Sequence, residues 1–225
     1  MFRRVLLIAV TATAGATMLS APAGAASIVA YYHLNEGAGS DSARDSSTHN
    51  NDGDINGAHP GATGYRGTSY RFDVPSNVSV RSSSSLNPGS SPMTISLWLR
   101  STGPVNGSPN VLQKGRSTVN GGNYKLEIEK RSGGGIARCH FRGSSGQGDV
   151  VGGPNVIDGR WHHIECIRQR DSVSLQVDDG HLFTDNGATG GISNSSPLTF
   201  GAKSGASAGD DQFVGWLDEI KITVG

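Results

Sequence analysis

Apolar and polar side chains alternate along this chain in short runs, and the clearest run lies past its midpoint. From Gly159 to Gly180, GRWHHIECIRQRDSVSLQVDDG, a Gly-Arg step opens onto Trp161, His162, His163 and Ile164 and continues through Cys166 to Arg168. Beyond Gln169–Arg170–Asp171, Val173, Leu175 and Val177 alternate with Ser174, Gln176 and Asp178, and Asp179–Gly180 ends the run. Period-two alternation closed by Asp-Gly predicts a half-buried antiparallel strand leading into a tight turn, here as part of a hairpin. The same period recurs twice. Ile95, Leu97 and Leu99 alternate with Ser96, Trp98 and Arg100; Tyr124, Leu126 and Ile128 alternate with Lys125, Glu127 and Glu129. Shorter strands are predicted over 28–35, 69–73, 77–80, 111–114, 136–142, 198–201 and 213–224. No helix of useful length and no internal repeat is found. With 33 glycines and many serines between these runs, an all-β sandwich is the class that fits.

The first 26 residues read differently. Arg3 and Arg4 precede an apolar or small stretch from Val5 to Leu19, and Ala21–Pro22–Ala23–Gly24–Ala25–Ala26 offers small-residue cleavage sites. This is the pattern of a secretory signal peptide, which leaves one domain over residues 27–225. The 19 basic and 19 acidic residues balance, and losing the two arginines leaves a slight acidic excess. No basic patch of the kind nucleic-acid binding needs is present, and no second apolar run is long enough to span a bilayer. Cys139 and Cys166 are the only cysteines. In an exported chain their pairing is the default, and closing the loop would stabilise the fold by about 3–4 kcal/mol while fixing the relative register of two strands. A zinc site lacks the close ligand spacing, and a catalytic thiol is the remaining alternative.

Several of these stretches also resemble a known family. The W-H-H-I to V-D-D-G hairpin, the Asp45-to-Gly53 loop DSSTHNNDG, the strand Thr94–Ile95–Ser96–Leu97–Trp98 and the terminal Gly215–Trp216–Leu217–Asp218–Glu219–Ile220 are similar to laminin-G-like domains of the concanavalin-A-like lectin/glucanase superfamily. The resemblance implies a two-sheet antiparallel jelly roll, with the terminal strand returning beside the first. In calcium-binding members the aspartate of that strand often ligates a structural calcium. The matching metal positions are Asp218 with the loop through Asp45, Asn51 and Gly53, near Asn35. That loop's density of oxygens suits a hard cation, although Asp, Asn, Ser and Gly also close ordinary turns.

Other candidates are weaker. His162 and His163 are neighbours on a strand and point to opposite faces, so they read as packing and hydrogen bonding, not as one metal's ligands. Glu127 and Glu129 share a face, as a glycosidase acid pair could. The E-x-D-x-x-E pattern of laminarinase-type relatives is incomplete at Glu127–Ile128–Glu129–Lys130–Arg131–Ser132, so a solvated charged face is expected. Of three tryptophans, Trp161 and Trp216 fall at packing positions of the motif. Trp98 shares its face with Ser96 and Arg100, which suits a concave ligand-binding surface, so Trp98 and Arg100 are the ligand-binding candidates. The combined expectation is a secreted, non-catalytic module that recognises an extracellular glycan or glycoprotein and is stabilised by calcium. A glycan hydrolase or lyase, or a structural cell-envelope module, are the alternatives.

Overall fold

A computed structural model describes residues 25–203 and 211–225. The expected signal peptide lies outside the described residues as far as residue 24, and so does most of the loop between Lys203 and Asp211. The chain forms sixteen strands in order: β1 (Ser27–Tyr32), β2 (Ser42–Ala43), β3 (Gly53–Asn56), β4 (His59–Thr63), β5 (Thr68–Phe72), β6 (Asn77–Val80), β7 (Met93–Arg100), β8 (Asn110–Lys114), β9 (Asn123–Arg131), β10 (Gly134–Arg142), β11 (Gln147–Gly152), β12 (Trp161–Arg168), β13 (Ser172–Val177), β14 (Phe183–Asn186), β15 (Leu198–Phe200) and β16 (Gly215–Val224). A 3-10 turn at Ser84–Leu86 is the one helical element among the described residues.

The strands make two antiparallel sheets. The first runs β14-β13-β12-β7-β16-β5-β4, with β1 also paired to β16; the second runs β11-β10-β9-β8-β15-β6-β3-β2. The hairpin β12–β13 turns where the alternation breaks, with the amide of Gln169 donating to the Ser172 carbonyl at 2.8 Å. Asp178 and Asp179 follow in left-handed conformation, with φ of 52° and 54°, which Asp tolerates better than most residues.

Between the sheets lies one continuous core. Ile95, Leu97, Leu99, Ile164, Val173 and Leu175 from the first sheet meet Tyr124, Leu126, Ala137 and Phe141 from the second. Each fully buried Leu, Ile or Phe stabilises the fold by about 1.5–3 kcal/mol relative to leaving it in water. Cys139 on β10 and Cys166 on β12 are joined by a disulfide with their Cα atoms 5.6 Å apart. The pairing follows the sequence expectation, but its geometry corrects the expected effect. The two cysteines belong to different sheets, because both point inward from facing layers, so the bridge fastens layer to layer and does not align neighbouring strands.

Candidate functional site

The outward face of the first sheet carries the site, and a break in β16 shapes it. Asp218 pairs with Trp98 of β7, but Lys221 already pairs with Ser96, so β16 bulges over Glu219 and Ile220. Glu219 takes φ of +50°, an uncommon conformation for a non-glycine residue and a costly one inside a strand. A bulge re-aims side chains, and here it leaves both Asp218 and Glu219 on the outer side. Before the bulge β16 pairs with β5; after it the same edge pairs with β1.

Asp218 is wholly buried and holds the turn between β4 and β5. Its carboxylate accepts the backbone N–H of Arg66 at 2.8 Å, that of Glu219 at 2.9 Å and that of Tyr65. The approach is close: a Cβ on Gly64 would lie 2.4 Å from the Thr68 carbonyl and 2.7 Å from Asp218 Oδ2. Burial pushes the Asp218 carboxyl up to about 6, with the neighbouring Glu219 adding to the rise and the amides opposing it. Glu219 is held by the Tyr31 hydroxyl and by His33 Nδ1 at 3.0 Å. Desolvation first, and this bond second, push the Tyr31 phenol up to about 12.

The turn fixed by Asp218 lays Tyr65 on Trp98. The rings are near parallel, 10° apart in plane with centroids at 3.4 Å, and His163 of β12 covers the other indole face at 5.0 Å. Tyr65 is itself 48% exposed. Around this stack is a pocket of about 220 Å³, lined also by Tyr31, Arg66, Ser96, Glu219 and Lys221. The chemistry is that of a mostly polar cleft against an aromatic wall, with charged and hydroxyl groups able to fix a ligand's orientation.

Of the two ligand-binding candidates, Trp98 stands in this pocket and Arg100 beside it. Arg100 is paired across the sheet with Trp161 on one side and Trp216 on the other. Its guanidinium lies 5.2 Å and 4.3 Å from the two ring centroids, a doubled cation–π contact. Trp161 and Trp216 are therefore half-buried on the outer face and not in the core, because period-two alternation places them in phase with Arg100 and Trp98. Tyr65 carries no such signal in the sequence. It lies in the aperiodic stretch Gly64–Tyr65–Arg66–Gly67, and no pattern there says which face it will cover.

The remaining candidates lie elsewhere. Asp45 Oδ1 accepts the amides of Tyr31 and Ser47, both at 2.8 Å; Oδ2 accepts the Ser47 hydroxyl at 2.7 Å and the Asn51 amide at 2.8 Å. Those four donors fill the carboxylate's acceptor positions. The Asn51 side chain donates to the Val29 carbonyl at 2.8 Å, and Gly53 packs so tightly on β6 that a Cβ would lie 2.6 Å from Val78. Asp218 spends its carboxylate on turn amides. The expected calcium set is thus two separate polar clamps whose oxygens serve protein donors, an arrangement that does not fit a bound calcium ion. Among the described residues no group of three or more His, Cys, Asp and Glu side chains could hold a metal.

Glu127 and Glu129 sit on the second sheet. Glu127 pairs with Lys125 at 2.6 Å and Glu129 with Arg131 at 2.8 Å. Contrary to the expected solvated face, Glu127 is only 3% exposed, because Asn110 of β8 and Arg138 of β10 flank it in the ladder. His162 and His163 do point apart. His163 meets Trp98, and His162 sits between Asp178 at 2.6 Å and Asp158 at 3.0 Å. The His162 contact, ahead of the Arg160 amide, holds the Asp158 carboxyl well below the usual carboxylate range.

Residues 72–223 match the laminin-G-like family model of the concanavalin A-like lectin/glucanases superfamily, and the chain belongs to that family. No curated protein matches it by sequence. Among solved structures it is similar to the binding domain of Paraclostridial Mosquitocidal Protein 1, with a TM-score of 0.64, 19% identity and coverage of 87% of this chain and 48% of that one. It is also similar to domain 4 of AbnA, an extracellular arabinanase from Geobacillus stearothermophilus, solved in complex with arabinotriose: TM-score 0.63, 16% identity, 89% and 93% coverage. The binding domain of botulinum neurotoxin DC in complex with SialylT gives 0.61 and 12%, covering 87% and 47%. The chain thus spans about half the length of the toxin binding domains it matches, and at these identities the likeness is one of fold. No helix among the described residues is long and apolar enough to cross a membrane.

Proposed function

We propose that this protein is a secreted, non-catalytic module that binds an extracellular glycan in the Tyr65–Trp98 pocket. The observation that carries this reading is the half-exposed Tyr65 ring, braced from behind by Trp98 and His163 and rimmed by Arg66, Ser96, Glu219 and Lys221. A sugar ring presents an apolar C–H face to an aromatic wall and hydroxyls to charged groups at its edge, and this pocket offers both. Rigid aromatic anchors lose little conformational entropy on binding, so a small contact area can suffice. That AbnA domain 4 was solved with arabinotriose, and a toxin binding domain with SialylT, supports the class of ligand without fixing its identity. Screening on a glycan array followed by titration calorimetry tests the reading. The expected result is saturable binding to at least one saccharide, and no binding to any glycan would overturn it.

A further inference from the structure

At the far end of β12, away from the Tyr65–Trp98 pocket, Arg168 is 1% exposed and points inward. Its guanidinium donates to three neutral acceptors: the Gly190 carbonyl at 3.1 Å, the Gly89 carbonyl at 3.0 Å and the Ser91 carbonyl. Its Nε–H has no partner. No carboxylate pairs with it among the described residues, and desolvation alone holds its pKa below the usual guanidinium value. A buried charge left without a counter-charge is costly, and a purely structural clamp between two loops could have used a neutral donor.

Beside this guanidinium is a pocket of about 210 Å³ lined by Arg168, Gln169, Arg170, Ser90, Thr189 and Gly190. Gly190 is one of the carbonyls Arg168 holds and Ser90 lies between the other two, so the cavity sits at the charged head and not along the stem. None of its lining residues is acidic, and Arg170 adds a second positive charge at the exposed rim. We propose that this cavity is a second ligand site, taking one oxyanion, the carboxylate or sulfate group of an acidic saccharide or the free ion, with Arg168 as its buried counter-charge. The exposed Arg170 is the residue whose planar fork can match the two oxygens of a carboxylate or sulfate, while Arg168 supplies charge from behind its carbonyl partners.

The test follows the Arg168 Nε–H resonance by NMR while inorganic sulfate, D-glucuronate and neutral D-glucose are titrated at matched ionic strength. A saturable shift with glucuronate or sulfate, absent with glucose, is expected. Arg170→Ala, an exposed substitution outside the buried network, should weaken it at least about fivefold, while Tyr65→Ala leaves it unchanged. A response to glucuronate alone assigns the oxyanion to a saccharide, and a response to sulfate as well assigns it to the ion itself. No shift with either anion, or an equal response in wild type and Arg170→Ala, would overturn the proposal. Arg168→Gln, which removes the charge and is read by titration calorimetry because it lacks the arginine Nε–H, should bind glucuronate or sulfate at least about fivefold more weakly; where that variant does not fold, the Arg170 comparison decides.

Discussion

Tyr65 stacks on one face of Trp98 while about half of Tyr65 itself stays exposed, so under the proposed function the phenol ring is the aromatic surface open to a ligand. Removing it should therefore cost binding without unfolding the domain. Tyr65→Ala is expected to weaken glycan affinity at least tenfold, about 1.4 kcal/mol, with an unchanged far-ultraviolet spectrum. Asp218 acts one step behind, as the residue that positions the turn, and its raised carboxyl gives it a pH signature. A folded-state value of about 6 against 3.8 for the free group means that the folded form holds the proton more tightly. The site's contribution to stability is then greatest below pH 3.8 and falls as pH rises through 6. Thermal melts of wild type and Asp218→Asn should show the wild type losing ground to the variant across that interval; a gain instead would contradict the assignment. Trp98 was legible in the sequence because alternation with Leu97 and Leu99 fixes its face. Tyr65 and the true work of Asp218 were not, because both depend on how a glycine-flanked turn lands on another strand.

The elements were readable where one face is apolar and the other polar. Strand β7 spans the expected Met93–Arg100, and the hairpin β12–β13 turns where Gln169–Arg170–Asp171 interrupts the alternation. Strand β1 stops at Tyr32, short of the expected Asn35, because Leu34 turns into the left-handed region at φ 54°. Short polar strands such as β4, HPGAT, and β11, QGDVVG, are not legible in the sequence: they lack alternation, and partners on the sheet hold them in place. The bulge in β16 was equally hidden, since Leu-Asp-Glu-Ile reads as an unbroken strand. One substitution tests the turn that faces this bulge. Gly64→Ala drives a Cβ into the Thr68 carbonyl and Asp218, so it should destabilise the domain by about 1–3 kcal/mol in urea unfolding and change tryptophan fluorescence as Tyr65 leaves Trp98.

Across the whole molecule, the two sheets depend on a shared core and one covalent link between layers. Replacing Cys139 and Cys166 together with alanine should lower unfolding free energy by about 3–4 kcal/mol in the chain-entropy account, leaving the strands themselves intact by circular dichroism. The family and the layered fold could be inferred from scattered motifs, since alternation, turn chemistry and paired cysteines all describe the same sandwich. The ligand could not, because it is chosen by side chains from β1, β7, β12, β16 and one turn that meet only after folding. The central claim is that the outer face of the first sheet binds a glycan through Tyr65. Titration calorimetry of wild type and Tyr65→Ala against the strongest ligand from a glycan array tests it most directly. Saturable binding that falls at least about tenfold in the variant is the predicted result, and equal affinity of the two proteins would contradict it.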